Sequence, residues 1–225
     1  MNPIDKQAPT QPPRVDWADL RCAVFVGLLT VGVKVIGVTM PAWEIRGIDA
    51  LLAFLVCLVY IIARGRRQPA KLDEWGLTTP LPPGTLVAGL ALLLLGIALQ
   101  AAAGLAAAGT LSFEIAYLPR MIDYIPGAFP QQFFMCSVGL ATLANFPIFQ
   151  GPWHLPLTVG IVFSLAHWWT PARIPGTLIP VQMLTTLPAG FFCALYFLKF
   201  RNILPLTVLH AILFVLGVEW VERHL

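Results

Sequence analysis

The sequence predicts an all-α polytopic membrane protein, a transmembrane helical bundle of about seven spans. Three observations carry this. Of its 225 residues 58% are hydrophobic and 11% charged, whereas a soluble domain carries roughly 25% charged residues. Mean hydropathy is +0.78. Several runs approach or exceed the roughly 20 apolar residues that a spanning helix needs. The length suits one bundle, residues 20–225, preceded by a polar tail of residues 1–19.

That tail holds Pro3, Pro9, Pro12 and Pro13. It lacks the basic-then-apolar order of a cleavable signal peptide, and its composition predicts disorder. The first span runs from about Cys22 to Met40, with Lys34 read as a snorkelling side chain rather than half of an internal ion pair. Trp43, in the turn 41–47, suits an interface anchor. The second span, from about Ile48 to Ala63, is short. Arg64, Arg66, Arg67 and Lys71 follow it and form the densest basic cluster.

The third span, from about Thr85 to Ala108, is rich in Ala, Gly and Leu. Small residues let helices approach closely in lipid, so this reads as a packing helix, with Gln100 bonded to a neighbour. Residues 109–129 mix Glu114, Arg120 and Asp123 with aromatics and read as interfacial. The fourth span runs from near Pro130 to Phe149 and the fifth from about Trp153 to Trp169. The sixth, about Thr177 to Leu198, is expected to break or kink near Pro180 and Pro188. The seventh covers about Ile203 to Val221.

Basic residues orient the bundle. Lys6, Arg14, Arg21, Arg64, Arg66, Arg67, Lys71, Lys199 and Arg201 fall on one side. Arg46, Arg120, Arg173 and Arg223 fall on the other. The expectation is a cytoplasmic N-terminus in a bacterial inner (plasma) membrane. A net charge of +3 without a dense basic patch gives no reason to expect a nucleic-acid partner. Cys22, Cys57, Cys136 and Cys193 show no CxxC spacing, which argues against a disulfide framework or a zinc ribbon.

The chemistry-bearing positions are few. His167 closes the run Phe163-Ser164-Leu165-Ala166-His167, and His210 lies in the last span. An ionisable residue in a membrane helix usually faces the bundle interior and has a partner or a task. Gln131 and Gln132 open the fourth span, and Cys136 follows Gln132 by one turn on the same face. Each histidine alone is as well explained by a structural hydrogen bond. Two of them with an amide pair favour a shared polar pocket. His154 lies in a turn and reads as interfacial, and His224 as exposed.

In order and context these residues resemble the CAAX-protease and bacteriocin-processing family of intramembrane proteases, which includes Rce1-like prenyl-protein endopeptidases. The resemblance covers about residues 75–217. Phe163 and His167 fit the family's Phe-x-x-x-His motif, and His210 fits the first residue of its late His-x-x-x-Asn/Asp motif. Gln131, Gln132 and Cys136 stand where Glu, Glu and Arg are expected, and Phe214 where Asn or Asp is. The resemblance implies the family's helical fold. It also implies a site of His167, His210, Gln131, Gln132 and Cys136, with Phe163 and Phe214 in the substrate pocket. The expected partners are the lipid bilayer and a membrane-associated peptide or protein, possibly prenylated or a leader peptide.

An amide cannot serve as the water-activating base that the family's glutamate supplies. One reading is therefore a divergent intramembrane endopeptidase, a hydrolase with a histidine base and Cys136 as a possible nucleophile. The retention of both histidines favours it. Another is a pseudoenzyme that binds a transmembrane peptide, lipid or prenyl chain without cutting it. No cofactor is expected, zinc held by Cys136, His167 and His210 being a minor alternative. A small transporter is the competitor from another class. It would need internal repeats, which are not evident.

Overall fold

The computed structural model describes residues 15–40, 47–149, 151–167 and 179–222. They form helices α1 (Trp17–Thr39), α2 (Ile48–Arg67), α3 (Ala70–Glu74), α4 (Thr85–Ala108), α5 (Tyr117–Asp123) and α6 (Ile125–Gln132). A π-helical stretch (Phe133–Gly139) leads into α7 (Leu140–Leu143). The chain continues through α8 (His154–His167), α9 (Ile179–Phe200) and α10 (Leu204–Gly217), and closes in a π-helical turn (Val218–Glu222). Among the described residues there is no strand.

Contacts near the helix ends give the direction of each pass. Asp16 and Asp19, at the start of α1, meet Arg64 near the end of α2. The Ile203 amide, just before α10, donates to the Gly76 carbonyl just after α3. The Tyr196 hydroxyl, near the end of α9, donates to the Thr85 carbonyl at the start of α4. These groups share one end of the bundle. At the opposite end Gly127 of α6 packs near Ala50 of α2, and Gly104 of α4 against Trp220. Among the described residues the chain is thus traced as running back and forth along the bundle in α1, α2, α4, α6 to α7, α8, α9 and α10, seven passes in all.

By length and composition, four helices among the described residues could cross a membrane: Trp17–Gly37, Ile48–Arg67, Thr85–Ala106 and Leu204–Val221. Shorter apolar helices, His154–Leu165 and Thr186–Phe200, accompany them. Lys34's side chain, Trp43 and Arg173 lie outside the described residues.

Several boundaries differ from expectation. The first span begins at Trp17 rather than Cys22, so residues 17–19 belong to α1 and not to the tail, and the last helix of the fourth ends at Leu143 rather than near Phe149. The second span does not end at Ala63 but runs to Arg67, because Arg64 turns inward to the α1 carboxylates. The fourth begins at Ile125 rather than Pro130, with Pro126 in the first turn, where a missing N–H costs nothing. The sixth shows no break: α9 is continuous through Pro188. Neighbouring helices make an internal proline tolerable in such a bundle, and α8 is closely applied there. A Cβ on Gly190 would stand 3.0 Å from Gly160 Cα and 2.9 Å from Phe163 Cβ.

The third span is the packing helix that its composition predicts. Gly96 faces the Leu213 side chain, and the Gln100 side chain lies against Gly217 of α10. The core itself is built on Trp75, fully buried in the α3 loop and in contact with Phe133 at 5.2 Å between ring centroids. Ser137 Oγ donates to the Trp75 carbonyl at 2.6 Å, which fixes the π-helical stretch against that loop.

The seven passes put the start of α1 and the end of α10 at opposite ends. Reporter fusions at residue 70 and at the C-terminus are therefore expected to report opposite sides of the membrane. Finding both on one side would remove a pass.

Candidate functional site

The site is built where α6 meets α10. Gln132 ends α6, seven residues beyond Ile125, and His210 lies six residues beyond Leu204. At about 1.5 Å per residue both are roughly 10 Å from their helix starts, which lie at opposite ends. Starting α6 five residues earlier than expected carries Gln132 inward by about 8 Å. That is what brings it level with His210.

Gln132 is 1% exposed, and its Nε2 lies 2.8 Å from His210 Nδ1. The backbone widens into the π-helical stretch just after Gln132. Such stretches are uncommon and frequent at functional sites. The extra residue in the turn broadens the inward stripe, so Gln132, Phe133, Cys136, Ser137 and Val138 are all buried. Cys136 is 0% exposed, and its Sγ donates to Gln132 Oε1 at 3.7 Å.

An amide nitrogen has only protons to give, so His210 Nδ1 accepts. Gln132 thus stands between the two, its carbonyl toward the Cys136 thiol and its amide nitrogen toward His210.

Aromatic rings enclose the imidazole. Phe163 of α8 meets it edge-on at 5.8 Å between centroids. Tyr124, at the joint between α5 and α6, lies 6.2 Å away on a tilt. Tyr124 also stacks flat on Phe214 at 3.8 Å and 4°. Gln131 does not accompany Gln132. Its Nε2 donates to the Tyr124 hydroxyl at 3.2 Å and to the Gly127 carbonyl at 3.1 Å. The adjacent amides therefore do different work, Gln132 on the imidazole and Gln131 on the tyrosine beside it.

His167 ends α8, one turn beyond Phe163 on the same helix. Its side chain lies outside the described residues. Among the described residues no group of three His, Cys, Asp or Glu side chains is arranged to hold a metal ion. His154 does not lie in the preceding turn but opens α8, exposed, with Nδ1 3.2 Å from the Ile148 carbonyl.

Tyr124 escaped the reading of the sequence. It sits in the segment taken as interfacial, and nothing in its local pattern marks it as part of the site. The signal available was its spacing of seven residues from Gln131, about two helical turns on one face.

A family model described as type II CAAX prenyl endopeptidase Rce1-like matches residues 133–216. This is the family that the sequence resembles. The match takes in Cys136, Phe163, His167, His210 and Phe214, and begins one residue after Gln132. Helices α1 to α6 lie outside it. No curated protein matches the chain, and no solved structure does.

Proposed function

We propose that the chain is a non-cleaving relative of the Rce1-like endopeptidases, which holds a membrane-associated peptide at the Gln132–His210 pair. The observation that carries this is the 2.8 Å contact between Gln132 Nε2 and His210 Nδ1. Activating water takes a group that can accept its proton. A neutral amide has no such capacity, and Gln132 sits directly against one imidazole nitrogen. The Cys136 thiol is directed at an amide oxygen rather than an imidazole, so it lacks the neighbour that turns a thiol into a nucleophile.

The test uses the full chain in lipid nanodiscs with a farnesylated peptide that carries a photo-crosslinker and a fluorogenic cleavage reporter. Crosslinking is expected without product above empty nanodiscs. His210→Ala is expected to weaken binding about tenfold, the equivalent of one hydrogen bond of about 1.4 kcal/mol. Cys136→Ser is expected to bind as the parent does. Product that vanishes in His167→Ala or His210→Ala would overturn the reading and make the chain a divergent endopeptidase.

A further inference from the structure

The segment before α6 contributes more to the site than one ring. Tyr117 and Met121 of α5 are buried against Val215, Leu216 and Trp220. Trp220 Nε1 donates to the Ser112 carbonyl at 2.6 Å. Arg120 pairs with Glu219, whose side chain is buried. The other side of α5 is open, with Leu118 and Ile122 exposed. Helix α5 is thus a short amphipathic cover over the last turns of α10, and Tyr124 is the residue by which it reaches inward.

We propose that Tyr124 decides what reaches the Gln132–His210 pair. Its ring lies flat on Phe214 and beside His210. A group that approaches the imidazole along α10 from the α5 side meets this stacked pair first. The stack holds the ring by face-to-face contact, and the Gln131 amide holds its hydroxyl. The stack adds about 0.5–1.5 kcal/mol beyond its buried area, which contact with another apolar surface can replace. The ring can therefore be displaced by an occupant that offers its own apolar surface to Phe214. A small polar solute offers none. The arrangement selects an apolar chain or a flat ring carrying a polar group for His210. Arg120 and Glu219 keep α5, and with it the tyrosine, over the site.

Cys136 is a built-in reporter. It is fully buried and bonded to Gln132, while Cys57 is equally buried in the core on α2. The experiment treats the full chain in nanodiscs with a small maleimide and reads each cysteine by peptide mass spectrometry. Cys136 and Cys57 are both expected to be protected in the parent. Tyr124→Ala is expected to raise Cys136 labelling at least tenfold and leave Cys57 protected. Tyr124→Phe keeps the stack and loses only the bond from Gln131, and is expected to give a rise well below that of Tyr124→Ala. Arg120→Gln, which leaves no cavity in the core, is expected to give an intermediate rise. Equal exposure of Cys136 and Cys57 in Tyr124→Ala would show general loosening and overturn the proposal. So would an unchanged Cys136, or a Tyr124→Phe variant as open as Tyr124→Ala. An Arg120→Gln variant with parental protection would overturn the part assigned to α5. No substrate enters the readout, so this test can fail while the non-cleaving reading stands, and the reverse.

Discussion

Asp19→Ala is expected to cost about 3 kcal/mol of stability, near the low end of what breaking a buried charged contact costs. At this chain length that corresponds to a fall of about 10 °C in the unfolding midpoint. Asp19 is 4% exposed. It accepts from the Tyr60 hydroxyl, from Trp75 Nε1 at 3.3 Å and from Lys71 Nζ at 3.5 Å, and Arg64 Nε lies 3.9 Å away. These donors come from α2, α3 and the turn after α3, so one carboxylate ties three segments to α1. Removing it strands the indole and phenol donors in the core and leaves two cations with Asp16. Asp16 is more exposed, and its own loss removes the cap on the Ala18 and Asp19 amides, worth about 1 kcal/mol, and part-exposed pairs with Arg64 and Lys71 whose cations keep Asp19. Thermal melts of both variants check the order. Equal losses would mean that Asp19 is no hub.

The same cluster sets the pH range over which α1 stays tied. Burial alone would raise the Asp16 carboxyl, but hydrogen bonds from Lys71 and Arg64 outweigh it and hold the group below its usual 3.8. Its stabilisation is present above 3.8 and is lost as pH falls through the lowered value. Burial alone would lower the Lys71 ammonium, but hydrogen bonds to Glu74 and Asp16 hold it above its usual 10.5. Its stabilisation is present below 10.5 and is lost as pH rises through the raised value. The polar tie is therefore intact across the neutral range.

Much of this was legible in the sequence because lipid imposes strong rules. The apolar runs located the passes, and the glycines of 85–108 identified the packing helix. The basic residues sorted to one end, where Arg64, Lys71 and Arg201 now stand. Gln132, Cys136 and His210 were singled out as polar exceptions, and the fold joins them. The start of α6 was not legible, because Pro126 and Pro130 suit a first turn equally well. The π-helical widening was not either, since its signal is backbone phase rather than composition. The Asp19 hub was missed because its four partners are spread over residues 60–75, and nothing local links them. Tyr124 was missed for the same reason. Its partners Phe214 and His210 are near it only after α10 folds back.

Gly76→Ala is expected to cost roughly 3–4 kcal/mol. Gly76 has φ 71°, a conformation that costs other residues about 1–2 kcal/mol. Its added Cβ would stand 2.6 Å from the Arg201 carbonyl oxygen and 2.9 Å from the Arg201 carbonyl carbon, and such overpacking costs about 1–3 kcal/mol more. That backbone has little room to retreat. Arg201 N donates to the Phe197 carbonyl at 2.8 Å. Asn202 Nδ2 donates to the Thr79 carbonyl at 2.9 Å, and Asn202 Oδ1 accepts from Leu204 N at 3.0 Å. Gly84 supplies the control. It has φ 84°, but a Cβ there meets nothing within 4 Å, so Gly84→Ala is expected to carry the conformational cost alone. The difference reaches the site, because Gly76 O receives the Ile203 amide at the mouth of α10. A methyl that pushes residues 201–203 outward moves the start of the helix that carries His210, and the 2.8 Å contact with Gln132 must lengthen with it. Melts together with farnesyl-peptide crosslinking should show Gly76→Ala losing both stability and binding while Gly84→Ala loses only a little stability. Equal melts for the two variants would show that the turn yields and that α10 is not anchored through Gly76.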